Sequence, residues 1–373
     1  MSSKKGTATM SQSEPKPEAA IKTLTYTNPV YKGYFADPFV WEHQGVYYAI
    51  GTGAAEAKGQ MDEIAEATHT QSTEEVRVFP LLYSQDFVNW QSADNALPRP
   101  DPALGNNYWA PEIAYCEGTF YLYYSVGHED KNHQLRVATS HEPLGPYQDV
   151  GGEPLVDPKS CPFAIDPHAF QDDDGQWYLF WARDFLDTEG GVRAGTALMV
   201  ERLEGMTKLA GEGRVVLRAR HDWQRFLANR PMYGGIYDWH TLEGPCVRKH
   251  AGRYYCFYSG GRWETENYGV DYGVADNVLG PYSDAGNEAG PRVLRSLPGR
   301  VLGPGHNSIV LGPDGQTEYI VYHAWDINME ARRMCVDQLI WTPSGPRCEG
   351  PTWTPQTLVS NPITSVEPIE DLP

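Results

Sequence analysis

No apolar run in this sequence approaches the roughly 18 consecutive residues that a membrane-spanning helix requires, which excludes a span of that kind. Positive charge is scarce as well: 30 Lys and Arg face 49 Asp and Glu, for a formal net charge of −19. Nucleic acids and anionic membranes both demand a basic face, so neither is an expected partner. A neutral substrate such as a sugar is compatible with the charge, and a gain in solubility explains it equally well. Cysteine is sparse, with six thiols at 116, 161, 246, 256, 335 and 348 and no Cys-x-x-Cys pair of the kind that holds a metal. Cys246 and Cys256 fall on predicted strands, where a free thiol acts as a small apolar core residue. Met1 to Ala20 lacks the apolar stretch of a secretory signal. Residues 1–24 are therefore expected to be an unordered leader, and the protein cytoplasmic.

What is abundant are turn and strand formers: 37 Gly, 29 Pro and 23 Tyr. These favour short strands joined by tight turns over helices. One unit recurs five times. A polar residue precedes a short apolar strand, a glycine turn follows, and an aromatic strand returns. The units begin at Asp37-Pro38-Phe39, Pro111-Glu112-Ile113, Asp166-Pro167-His168, Glu243-Gly244-Pro245 and His306-Asn307-Ser308. Third strands follow in most of them, as at Leu81-Leu82-Tyr83-Ser84 and Leu135-Arg136-Val137. The heads lie about 55 to 75 residues apart, longer than a compact blade of about 40 to 50, and loops take up the excess.

Small antiparallel sheets of this kind cover one another best in a radial array. The expected fold is all-β, a five-bladed β-propeller over residues 25–356, with 357–373 a surface tail. Two insertions interrupt the pattern. Residues 53–75 are acidic and alanine-rich, which predicts a loop with some helix. Residues 218–239 carry Trp223, Phe226, Tyr233, Tyr237 and Trp239, as a sugar-stacking wall or as loop anchors.

In a propeller the innermost strands line the axis, so equivalent residues converge on one ring. The heads Asp37, Glu112, Asp166, Glu243 and His306 would place up to four carboxylates there. Like charges raise one another's pKa, so a purely structural ring would use neutral residues. The Pro-Glu setting of Glu112 differs from the Asp-Pro heads. Glycosidic hydrolysis asks for such a set: a protonated carboxyl for the leaving oxygen, and a carboxylate to activate water. A third anion can raise the pKa of the acid.

Six motifs in register carry a family resemblance: Ala36-Asp37-Pro38, Trp109-Ala110-Pro111-Glu112, Ile165-Asp166-Pro167, Leu242-Glu243-Gly244-Pro245, Gly305-His306-Asn307-Ser308 and Tyr322-His323-Ala324-Trp325-Asp326. From about Asn28 to Trp341 the chain resembles glycoside hydrolase family 43, five-bladed propellers acting on arabinose- and xylose-containing glycans. The resemblance implies an inverting enzyme with Asp37 as general base, Glu243 as general acid and Asp166 as the residue that tunes and orients Glu243. It implies no required cofactor. His306 resembles a family histidine beside a central calcium or sodium, although a buried hydrogen-bonded histidine fits equally. Trp109 is a candidate sugar platform or core residue, and Glu112 and His306 are further candidate substrate contacts. His168, just beyond Asp166-Pro167, is expected to face away from the ring.

The arginine that many relatives carry on the last blade does not align cleanly with Arg332-Arg333-Met334. The leading expectation is an exo-acting α-L-arabinofuranosidase of hemicellulose-type oligosaccharides. Alternatives are a β-xylosidase, an endo-arabinanase and a non-catalytic carbohydrate-binding propeller. Fructan-cleaving propellers show Arg-Asp-Pro and Glu-Cys signatures, where this chain has Ile165-Asp166 and Glu243-Gly244.

Overall fold

The computed structural model describes residues 22–71 and 75–360. Five antiparallel blades follow one another along the chain, each beginning at the strand the motifs predict, the third and fourth joined by a short parallel pairing of Gly195 and Thr196 with His240 and Thr241. Their innermost strands are Ala36–His43, Asn107–Cys116, Ala164–Gln171, Gly235–His250 and Leu302–Leu311. Five apolar clusters fill the five gaps between neighbouring sheets. Trp41 and Ile50 of the first sheet pack with Leu122 and Tyr124 of the second, and Tyr123 and Val137 of the second with Leu179 and Trp181 of the third. Leu198 and Val200 meet Val247 and Tyr258, and Phe257 and Tyr272 meet Ile320 and Tyr322. Val321 and Val336 of the fifth sheet close on Val40 and Leu82 of the first. The ring is complete, and the molecule is a five-bladed propeller.

Closure is reinforced by the strand Lys22–Tyr26, which pairs antiparallel with Gln356–Ser360. Tyr26 and Leu358 are buried in the cluster between the fifth and first blades. The sequence boundaries at 24/25 and 356/357 therefore fall inside a paired clasp, because Leu358 supplies apolar surface that the last interface needs. Residues 1–21 and 361–373 of the expected leader and tail lie outside the described residues. All six thiols are free, four of them buried. The first insertion contains the helices Ala54–Lys58 and Met61–Gln71. The second contains a hairpin, Arg225–Met232 paired with the start of Gly235–His250.

Every innermost strand carries the same irregularity. Its register with the second strand slips between Ala36 and Phe39, Trp109 and Glu112, Ile165 and His168, Glu243 and Cys246, and Gly305 and Ser308. The first residue of each slip has a positive φ: Asp37 (51°), Ala110 (46°), Asp166 (57°), Gly244 (56°) and His306 (49°). Four of the five are followed by proline, which has no N–H to lose at a bulge. The equivalent heads are thus Asp37, Ala110, Asp166, Gly244 and His306. This corrects the sequence alignment of heads: Glu243 stands one place before its bulge, level with Trp109, and Glu112 stands two places after.

A bulge frees a backbone N–H, and four of these are donated across a blade boundary. Ala110 donates to Thr52 Oγ1 (2.9 Å), Gly244 to Asp166 Oδ2 (2.9 Å), His306 to Ser259 Oγ (2.7 Å) and Asp37 to His323 Nδ1 (3.1 Å). At Gly244 a side chain is barred twice over. Its φ is left-handed, and a Cβ would lie 3.1 Å from the His306 ring.

Thr52 is fully buried, so Thr52→Val should orphan the Ala110 N–H at almost constant shape. A loss of about 1–3 kcal/mol is expected, read as a lower urea midpoint with the circular dichroism spectrum unchanged.

Candidate active site

The bulges turn Asp37, Asp166 and His306 toward one end of the axis, and the neighbouring position brings Glu243 and Trp109 to the same place. All five line one cavity of about 160 Å³. That is smaller than the roughly 300–1,000 Å³ of sites for drug-sized ligands, and suits a single sugar ring.

Three side chains crowd the Asp37 carboxyl. Its Oδ1 lies 3.2 Å from Arg332 Nη1, 3.2 Å from His323 Nδ1 and 3.4 Å from His306 Nδ1. Burial alone would push the carboxyl up. Arg332, aided by His306, outweighs burial and holds Asp37 well below the usual carboxylate range; His323 Nδ1 already accepts the Asp37 N–H and has no proton for the carboxylate. Burial also pushes both imidazoles down, His323 to about 4. At neutral pH the cation that keeps Asp37 ionised is therefore Arg332. Its guanidinium also bonds the Tyr34 hydroxyl (2.8 and 3.1 Å) and lies over the Trp263 ring at 4.4 Å. Arg333 points elsewhere, to Asp326 at 3.0 Å. The ambiguity of the Arg332-Arg333 pair is resolved by alternation: adjacent residues on the strand Arg332–Thr342 face opposite sides.

Asp166 and Glu243 behave in the opposite way. Asp166 is pushed well above its ordinary value by burial, then by the charges of Glu243 and Asp37. Glu243 is pushed up to about 7, because burial and the Asp37 charge outweigh the hydrogen bond donated by Tyr268 (2.7 Å to Oε1). Arg332 lowers Glu243 as well, but by less than burial and the Asp37 charge raise it, and ionising both Asp166 and Glu243 would leave like charges facing in a buried site. The pair retains a proton near neutral pH. Asp166 also accepts the N–H of Gly244, the residue after Glu243, and so fixes the strand that presents the acid.

The remaining candidates separate. Trp109 lines the cavity and stacks on His133, with centroids 3.9 Å apart at 21°. His306 lines it as well. Glu112 does not, and its expected role as a substrate contact is corrected. Two places beyond its bulge it lies a layer deeper, where its Oε2 accepts from His168 Nδ1 at 2.7 Å. His168 Nε2 accepts the Val247 N–H at 3.0 Å, so His168 is the neutral Nδ1–H tautomer. His168 faces into this inner layer rather than away: it stands two places after Asp166, and residues two apart line one face of a strand. Among the described residues, no three His, Cys, Asp or Glu side chains gather as metal ligands.

Several residues of the site escaped the sequence, Trp263 in the cavity wall and Tyr268 behind Glu243 among them. Trp263 and Tyr268 sit in the loop between the second and third strands of the fourth blade and match no repeat position. Asp130, Asp184 and Arg230 line the cavity from separate elements, among them the inserted hairpin.

The sequence model of Glycosyl hydrolases family 43 matches residues 26–346. The chain belongs to this family. A β-D-galactofuranosidase of Aspergillus niger is 29% identical over 354 residues, 90% of this chain and 89% of that one. An extracellular endo-α-(1→5)-L-arabinanase of Bacillus subtilis is 26% identical over 325 residues, 83% and 86% of the two chains. Further relatives carry exo-arabinofuranosidase and xylosidase/arabinosidase names. Among solved structures, a thermostable family-43 glycoside hydrolase superposes with a TM-score of 0.71 at 28% identity, covering 89% of this chain and 98% of its own. The protein is thus a glycoside hydrolase built on the propeller that six motifs anticipate.

Because Glu112 is withdrawn from the cavity, Glu112→Ala should act on the fold and not on substrate affinity. Leaving the His168 Nδ1–H without an acceptor is expected to cost about 1–3 kcal/mol. Calorimetry should register the loss while KM stays at the wild-type value.

Proposed function

We propose that this family-43 hydrolase is an inverting, exo-acting α-L-arabinofuranosidase. The observation that carries the reading is the division of protonation in one sugar-sized cavity: Asp37 held ionised by Arg332, and the Asp166–Glu243 pair holding a proton. In this reading a water on the Asp37 side attacks the anomeric carbon as Asp37 takes its proton. The glycosidic C–O bond breaks on the opposite face, and the leaving oxygen takes the Glu243 proton. The sugar leaves with inverted configuration, and one proton has moved from Glu243 to Asp37, to be returned through solvent. Asp166 holds Glu243 in place and discourages its ionisation. His306 and Trp109 are proposed to touch the sugar, Trp109 through its ring face. No step requires a cofactor, and arabinose- or xylose-containing oligosaccharides are the proposed substrates.

A second reading is a β-D-galactofuranosidase, favoured by the Aspergillus niger relative, whose match spans nearly all of both chains. The two glycones are related furanose rings that differ in the exocyclic carbon chain, so one cavity can be graded between them.

Glu243 must be protonated to act and Asp37 ionised. Activity should therefore be flat at mildly acidic pH and fall as pH rises through about 7. In Glu243→Gln that alkaline fall should vanish. Hydrolysis of an unactivated arabinoside should drop by about 10²–10⁴-fold, with far less loss on a nitrophenyl glycoside, whose leaving group needs no proton. Equal, mild losses on both would remove Glu243 as the acid.

The assignment is tested by nitrophenyl α-L-arabinofuranoside, β-D-galactofuranoside and β-D-xyloside side by side, with the product anomer followed by NMR. The arabinofuranoside should turn over fastest and yield the inverted sugar first. Retention of configuration, or a dominant galactofuranoside rate, would overturn the corresponding half of the reading.

A further inference from the structure

The hairpin inserted before the fourth blade is unlike the rest of the molecule. Arg225–Met232 runs out and Gly235 onward runs back, paired from Leu227↔Trp239 to Met232↔Gly235 with a register shift between Leu227 and Arg230. Tyr233-Gly234 forms the two-residue turn, with φ of 48° and 75°. That matches the mirror-image turn that hairpins favour, but a tyrosine seldom adopts it. The hairpin is two-sided. Phe226, Arg230, Met232 and Trp239 line the cavity, while Leu227, Tyr233 and Ile236 are exposed, Ile236 by 72%.

A lone two-stranded hairpin is marginal in water, so something must hold this one against the propeller. Two contacts do so, each to a carboxylate that also lines the cavity. The Tyr233 hydroxyl donates to Asp184 Oδ2 at 2.7 Å, and Thr196 Oγ1 donates to the other oxygen of Asp184 at 3.0 Å. Arg230 Nη2 meets Asp130 Oδ2 at 2.8 Å. The Arg230 guanidinium is also laid over the rings of Phe226 (4.9 Å) and Trp239 (5.4 Å). Asp130 and Asp184 come from the second and third blades, so the hairpin of the fourth blade is fastened across both.

We propose that this hairpin is the specificity wall of the enzyme: fastened through Tyr233–Asp184 and Arg230–Asp130, it closes the cavity beyond one sugar ring and so restricts cleavage to terminal residues. The inference rests on the exo reading above and names the element responsible for it. Tyr233 acts as a positioning residue, since it touches Asp184 and not the substrate.

The test uses linear α-1,5-linked arabino-oligosaccharides, with products separated by length. Wild type should release monosaccharide only. A variant with residues 228–238 replaced by Asn-Gly, which makes Leu227 and Trp239 the closing pair of a short turn, should release disaccharides and longer products. Tyr233→Phe removes one exposed hydroxyl and should fold normally. It should raise KM by about tenfold, the effect of one lost hydrogen bond to a charged group, with kcat nearly unchanged. Only monosaccharide from the shortened variant, or an unchanged KM in Tyr233→Phe, would overturn the wall. A wild-type enzyme that already releases longer products would instead overturn the exo reading, and the inference with it.

Discussion

Much of this structure depends on one repeated backbone event, the bulge in each innermost strand. It frees an N–H, turns one side chain toward the axis, and hands the N–H to a neighbouring blade. Thr52, Asp166, Ser259 and His323 receive four of these donations. Stability and function are therefore not separate layers here. Asp166 and His323 accept a structural hydrogen bond and also set the electrostatics of the cavity. A buried polar group must be satisfied, and in this propeller satisfying it gathers the site.

The second organising fact is an asymmetry of charge. Three carboxyls face one buried arginine. Arg332 lies beside Asp37, and that placement, with the burial of Asp166 and Glu243, divides the three into an ionised group and a proton-holding pair. Aromatic rings help to fix it. Trp263 and Tyr34 define where the guanidinium can lie, and Tyr268, stacked on His323 at 5.9 Å, also holds Glu243.

The blades and the cavity residues on the innermost strands were legible because propeller repeats write themselves as short periodic signals: x-Pro, a glycine turn, an aromatic return strand. The register within each repeat was less legible. Taking the carboxylate as the marker aligned Glu112 with Asp37, whereas the bulge is marked by the residue before proline, Ala110. A shift of two places moved Glu112 out of the cavity and onto His168. Arg332 could not be told from Arg333 by composition; alternation on a folded strand decides between them. Trp263, Tyr268 and the carboxylates Asp130 and Asp184 obey no repeat, since loops and inserted elements carry them to the site. The clasp of Lys22–Tyr26 with Gln356–Ser360 was invisible for the same reason: its partners lie at opposite ends of the chain.

Gly244 has a consequence that reaches beyond its own turn. With no side chain, it lets the His306 ring rest against the backbone of the fourth blade, and His306 in turn rests against Asp37. Glu243, Gly244, His306 and Asp37 thus form one run of touching atoms from one side of the cavity to the other. The gauge between Glu243 and Asp37 is set by core packing inside the ring, which is stiff. The loops and the hairpin lie outside this run, so a change in them can alter what the cavity admits while the span between the two carboxyls stays the same.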